Sequence, residues 1–233
     1  MTGPQRESER AVGDRTCRPG GAIDVKVRSR VARVTVNRPE KRNALTVEMW
    51  GDLHRALEEL DDRSDLAAVV LRGAGGSFSA GSDLDGVRSS DPERFGELQE
   101  LAESTVLRLR DLRSATFAEI DGPCFGAGCS LALACDVRVC SPRSRFGIPV
   151  LRHGIVYEPV HVQRLVDVVG PGPAGLLLYG GEEWTAQEAV TRRLVDRCSE
   201  DPASVLEQVL AGLTSGTTAV VRATTISLRA NLR

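Results

Sequence analysis

The sequence predicts an α/β fold with largely parallel strands, on three observations. "DLAAVVLRG" (Asp65 to Gly73) is an apolar strand without alternation, the pattern of a strand covered on both faces of a parallel sheet. Strand, loop and helix signals alternate along the chain with short strands between them. Two glycine-rich loops, "GAGGSFSAGSDLDGV" and "FGAGCSLAL", each follow a buried strand and lead toward a helix. At 233 residues the chain is long enough to bury a core as one domain.

The elements follow in order. Residues 1–21, "MTGPQRESERAVGDRTCRPGG", are polar and rich in glycine and proline, and are expected to form a disordered leader with no signal peptide. From Ile23 the pattern is strand-like, and in "VRSRVARVTVN" the side chains of Ala32, Val34 and Val36 share one face. "RPEKRNAL" interrupts it with Pro39 and a basic turn. Thr46 then caps a helix, "TVEMWGDLHRALEELDD", that places Met49, Leu53, Leu57 and Leu60 on one side. After the buried strand and first glycine loop, "DPERFGELQELAESTVLRLRDL" reads as a long amphipathic helix with an acidic start. "ATFAEIDG" is the next strand, and "PCFGAGCSLALACDVRVCSP" gives a glycine turn, a short apolar helix and another strand. Helices are expected over "PGPAGLLLYGG", "TAQEAVTRRLVDRC", "DPASVLEQVLAGLTS" and "TAVVRATTISLRANL". These boundaries suggest a core over residues 22–182 and a helical region over residues 183–233.

Composition removes several classes of function. Net charge is −2 and charged residues make up 27%, so no bulk field recruits nucleic acid or an anionic membrane. Lys26 and Lys41 are the only lysines, so 28 of the 30 basic residues are arginine, which reads as a coding bias and not as a basic patch. Aromatics at 4% leave few stacking platforms for single strands. The six cysteines form no CxxC pair and only three histidines accompany them, so no metal site is expected. Four cysteines fall in apolar runs, where cysteine behaves as a small buried hydrophobe. No apolar run is long enough to span a bilayer. A soluble, cytoplasmic protein is expected.

The glycine loops carry the chemistry. "SAGSDL" can present the backbone N–H of Ser82, and "FGAGCSLAL" starts a helix at about Ala127, where amides lack intrahelical acceptors. Two such amides converging on one oxygen form an oxyanion hole. Either loop alone is equally a tight turn with no ligand. Neither has the lysine or spacing of a phosphate cradle.

Taken together, "VTVNRPEKRNAL", "FSAGSDL", "IDGPCFGAGCSLALACDVRV", "RFGIPVLRHGI" and "QRLVDVVGPGPAGLLLYGG" resemble the crotonase (enoyl-CoA hydratase/isomerase) superfamily in order and spacing, over about residues 22–230. The resemblance implies a spiral of ββα units forming two sheets, a helical C-terminal trimerisation region, and an acyl-thioester ligand. It makes Ser82 and Ala127 the oxyanion-hole donors, with Gly126 beside them. Lys41, Arg42 and Ala44, with Ala80, Asp83 and Leu84, would line the coenzyme A site; Arg42 there is either a phosphate partner or a solvated arginine. It implies no cofactor beyond the coenzyme A of the substrate, which is an acyl-CoA or acyl-carrier-protein thioester, and a homotrimer or hexamer. The chain ends about one helix earlier than family members, so a more open site is expected and the trimer rests on less.

The sequence departs from the family where hydratases carry two glutamates. By the resemblance these positions are Ser130 and Val150, and neither supplies a base. Attention passes to Glu158, eight residues after Val150, where dienoyl-CoA isomerases and 4-chlorobenzoyl-CoA dehalogenases place an aspartate. Tyr157 stands where methylmalonyl-CoA decarboxylases place a tyrosine, although the histidine of their glycine loop is Ser82 here. Two chemistries are open. Glu158, its pKa raised by Val150, Ile155 and Val156, takes a proton from an acyl thioester in isomerase- or dehydratase-type chemistry. Alternatively, a malonyl-type thioester loses carbon dioxide in a desolvated pocket with Tyr157 orienting it. Carbon–carbon hydrolysis and a catalytically silent acyl-CoA-binding or partner-stabilising protein complete the alternatives. Glu158 as a solvated loop charge, Tyr157 as a packing residue, and Asp83 and Asp136 as structural anchors are the plain readings.

Overall fold

The computed structural model describes residues 22–85 and 92–230. The expected leader lies outside the described residues. The first strand-like run is a hairpin: β1 (Ala22–Arg28) pairs antiparallel with β2 (Val31–Asn37). Ser29 and Arg30 turn the chain with φ of 49° and 66°, the double left-handed geometry that suits a two-residue hairpin. Ala32, Val34 and Val36 are buried on one face, as alternation predicts.

β2 continues in parallel to β3 (Ala68–Gly73), β4 (Ala115–Ile120), β6 (Val137–Cys140) and β9 (Arg197–Cys198), giving a six-stranded sheet in the order β1-β2-β3-β4-β6-β9. β3 is apolar without alternation because both of its faces are covered. Val69 and Leu71 join the main core, while Ala68 and Val70 join a second cluster with Leu206, Leu210 and Val221 from the C-terminal helices. A three-stranded sheet combines β5 (Pro123–Phe125), β7 (Arg145–Gly147) and β8 (Glu183–Thr185), with β5 and β7 parallel and β8 antiparallel. The repeat is therefore one strand in the large sheet, one in the small sheet, then a helix: β4–β5–α3 (Ala127–Ala134), then β6–β7–α4 (Val150–His153).

Helix α1 (Val47–Asp61) begins as the sequence predicts, with Thr46 Oγ1 accepting from Met49 N at 3.2 Å. Met49, Leu53, Leu57 and Leu60 are all buried, and α2 (Pro92–Asp111) packs beside α1. His54 on α1 approaches Thr105 Oγ1 of α2 at 3.3 Å, a packing role. α5 (Pro159–Val169) and α6 (Pro171–Leu178) follow α4.

Two expectations are corrected here. "TAQEAVTRRLVDRC" is not one helix: α7 (Ala186–Thr191) ends, Arg193 turns with φ 64°, and Arg197–Cys198 form β9. Pairing with Val139 and Cys140 of β6 outweighs the local helical pattern. For the same reason residue 183 does not open a purely helical region. β8 and β9 complete the two sheets, and the helical segment consists of α8 (Pro202–Ser215) and α9 (Thr218–Ala230). These two helices cover the large sheet on the side away from α1.

Candidate functional site

Three loops meet where β3 and β4 end. Ala80 N donates to Arg42 O at 2.9 Å, Leu45 N to Gly81 O at 2.8 Å, and Asp83 N to Leu45 O at 2.8 Å. The last two form a one-residue parallel bridge between Leu45 and Ser82. In a parallel bridge the bonds run to the residues flanking one partner, so the N–H of Ser82 points away from Leu45. Ser79, fully buried, ties the loops further: its Oγ donates to Asn43 O at 2.8 Å and accepts from Gly81 N at 3.1 Å. Asn43 Nδ2 donates to Ala74 O and Ser77 O, which fixes the "RNAL" turn.

The second loop approaches from β5. Phe125 N donates to Ser79 O and Gly126 N to Gly147 O, both at 2.9 Å. Gly126 turns with φ 53° and ψ −123° and is the N-cap of α3, so Ala127 N–H lies in the first turn with no intrahelical acceptor. A Cβ on Gly81 would stand 3.1 Å from Ala127 N and 2.9 Å from Phe125 O. The loop carrying Ser82 thus lies directly against the entrance of α3. Neither Ser82 N–H nor Ala127 N–H takes a protein acceptor among the described residues. The indole N–H of buried Trp50 donates to Ser82 Oγ at 3.2 Å and holds that residue from behind.

Both residues border a cavity of about 410 Å³. Arg42, Ala80, Leu84, Gly126, Ser130, Val150, Tyr157 and Glu158 border it as well, so most of the residues singled out in the sequence come together. Ser130 Oγ and Tyr157 OH are 2.5 Å apart, which joins α3 to the segment before α5. Burial pushes the Tyr157 phenol well above its ordinary pKa, against the opposing effect of Ser130, so it is held protonated. The His161 ring lies 5.5 Å from the Tyr157 ring. Burial first, and the charge of Arg110 second, lower the His161 pKa to about 4, so its imidazole is neutral near pH 7.

Glu158 is the N-cap of α5 through its backbone: His161 N and Val162 N donate to its carbonyl at 2.9 and 3.0 Å. Its side chain makes no cap bond, and its carboxylate has no hydrogen-bond or ionic partner among the described residues. It is half-buried on the cavity wall. Its expected apolar surroundings are only partly present: Val150 is buried and Ile155 half-buried, but Val156, which also borders the cavity, is 74% exposed.

Three predicted site residues are not on the cavity wall. Lys41 is exposed and paired with Asp85 at 3.0 Å. Asp83 accepts from Arg38 Nη1 at 2.6 Å and from Asp85 N at 3.1 Å, a loop anchor. Ala44 O accepts from the same guanidinium at 3.1 Å. Asp136 is also an anchor, held by Thr116 and Arg229. The sequence reading missed a whole wall, which α2 provides through Phe95, Leu98, Gln99, Ala102, Glu103 and Val106. Their spacing marks one helix face, but helical periodicity does not reveal which cavity that face borders. Among the described residues no group of histidine, cysteine or carboxylate side chains is arranged to hold a metal.

A spiral of ββα units, with two unpaired amides where a glycine loop meets a helix entrance, defines a crotonase-fold protein. Known structures agree. An enoyl-CoA hydratase/isomerase family protein from Hyphomonas neptunium superposes with a TM-score of 0.84 at 28% identity, covering 89% of this chain and 81% of that one. An enoyl-CoA hydratase/carnithine racemase from Magnetospirillum magneticum gives 0.83 at 27% identity, covering 89% and 79%. The sequence profile of the enoyl-CoA hydratase/isomerase family matches residues 26–233, and the chain belongs to that family. Among curated relatives, the short-chain-enoyl-CoA hydratase of Clostridium acetobutylicum is 33% identical over 172 residues, 73% of this chain and 66% of that protein. The probable enoyl-CoA hydratase EchA14 of Mycobacterium tuberculosis is 34% identical over 209 residues, 86% of this chain and 78% of that protein.

Proposed function

We propose that the chain acts on an acyl-CoA or acyl-carrier thioester by forming an enolate, with Glu158 as the base of an isomerase- or dehydratase-type proton transfer. One observation carries this reading: the unpartnered Glu158 carboxylate and the two acceptor-free amides of Ser82 and Ala127 border one cavity. In the proposed step the thioester oxygen sits between the two N–H groups. Glu158 removes a proton from carbon, the C–H electron pair moves into the carbonyl, and the resulting negative oxygen is held by the amides. The protonated Glu158 then returns the proton to another carbon of the same conjugated system. Nothing is consumed. Hydration by carboxylates at 130 and 150 is not open to this chain, which has serine and valine there. The exposed Arg42 at the cavity edge is suited to pair with a phosphate of coenzyme A. A homotrimer or hexamer belongs to the same proposal, and a monomer mass by sedimentation would overturn that part.

The decarboxylase reading is favoured by one specific contact, the Ser130–Tyr157 hydrogen bond, which presents a protonated phenol near the cavity. Glu103 and Glu158 on the same walls oppose entry of a malonyl-type carboxylate, while Arg42 and Arg152, which also border the cavity, favour it, so charge alone does not select this reading. The deciding experiment follows acyl proton exchange in D2O by NMR with butyryl- and crotonyl-CoA. Exchange by the wild type that falls by about a hundredfold or more in Glu158→Gln supports the base. No exchange in either, with carbon dioxide released from methylmalonyl-CoA and lost in Tyr157→Phe, replaces it with decarboxylation. Binding of thioesters with neither reaction indicates a silent acyl-CoA-binding protein.

A further inference from the structure

The α2 wall of the cavity is mixed in a regular way. Phe95, Leu98, Ala102 and Val106 supply apolar surface, while Gln99 and Glu103, one turn apart, bring an amide and a carboxylate to the same cavity. Both polar side chains are half-buried, and neither has a hydrogen-bond or ionic partner among the described residues. Their position sets them apart from the other polar groups of α2: Thr105 and Arg108 are engaged with α1, through His54 and Glu58, and Glu97 and Glu100 are exposed off the cavity, whereas Gln99 and Glu103 border it.

An alkyl chain lying against this wall would strip water from an amide and a carboxylate and return no hydrogen bond. A chain bearing a donor would replace that water. We propose that Gln99 and Glu103 form a polar subsite selecting acyl chains that carry a hydrogen-bond-donating group, a hydroxyl or an ammonium, away from the thioester. The inference rests on the acyl-thioester reading above and adds the substrate class to it. A site that hydrogen-bonds its substrate discriminates strongly against the analogue lacking the group, because its own buried polar atoms are then left unpaired.

Calorimetric binding of saturated thioesters tests the subsite without requiring turnover. The ligands are hexanoyl-CoA, 6-hydroxyhexanoyl-CoA and 6-aminohexanoyl-CoA, each with the wild type, Glu103→Gln and Gln99→Leu/Glu103→Leu. The wild type is expected to prefer at least one functionalised chain by about tenfold or more. The double variant should lose that preference and bind hexanoyl-CoA no worse than the wild type. Glu103→Gln separates the two donors: a preference for hydroxyl survives it, while one for ammonium is lost with the charge. Equal binding of all three ligands by the wild type, or a preference that persists in the double variant, overturns the subsite. Failure of the wild type to bind any of the three overturns the acyl-thioester reading beneath it.

Discussion

Gly81 is the residue on which the amide pair depends most directly. Its φ of +94° and its closeness to Phe125 O and Ala127 N leave no room for a Cβ. Gly81→Ala is expected to lower thermal stability by about 1–3 kcal/mol and to misplace Ser82 N–H. If the proposed oxyanion site operates, kcat should fall by about a hundredfold or more, with a smaller change in thioester binding. Equal activity in this variant would show that the two amides do not hold the reacting oxygen. The position was legible in the sequence, because a glycine between a buried strand and a polar loop signals a close backbone approach. The partners of Tyr157 were not legible: its bond to Ser130 joins residues 27 positions apart, and no local pattern encodes that pairing. The neutrality of His161 was likewise hidden, since it follows from burial and from Arg110 on another helix.

Among the elements, α9 is anchored near its C-terminal end by Arg229, in addition to the packing of Val221 against the large sheet. Arg229 donates to both oxygens of Asp136, at 2.7 and 2.8 Å, and also to Leu112 O, joining α9 to the strand ends beneath it. Asp136 is 7% exposed at its side chain, so removing the guanidinium leaves a buried carboxylate whose charge is no longer compensated. Arg229→Ala is expected to destabilise by about 3 kcal/mol, read as a shift in the denaturant midpoint, whereas Arg94→Ala at an exposed pair should stay within about 1 kcal/mol. Similar midpoints for the two variants would contradict the anchoring role. Most elements could be read from pattern: α1 from its cap and heptad-like face, β3 from its apolar run. β9 could not, because two residues form a strand only when an open sheet edge is already beside them.

At the scale of the whole molecule, His161 links the cavity to overall stability. Its folded pKa of about 4 lies below the ordinary value of 6.5, so the unfolded chain binds the extra proton first as pH falls. The stability associated with the neutral ring is complete above about pH 6.5 and is lost as pH falls toward 4. A His161→Gln variant should show a flatter decline in melting temperature over this window than the wild type. An identical decline would assign the acid sensitivity to other groups.

The sequence by itself determined the class of fold, the family, and the two glycine loops that bring Ser82 and Ala127 together, because strand burial, helix capping and glycine geometry are local and periodic. Tertiary structure decided what surrounds them. It placed Glu158 on the cavity wall without a partner, moved Lys41, Ala44 and Asp83 off that wall, and brought Gln99 and Glu103 onto it. A helix face or a loop carboxylate acquires its neighbours only through packing between elements distant in the chain, and those contacts leave no periodic trace in the sequence.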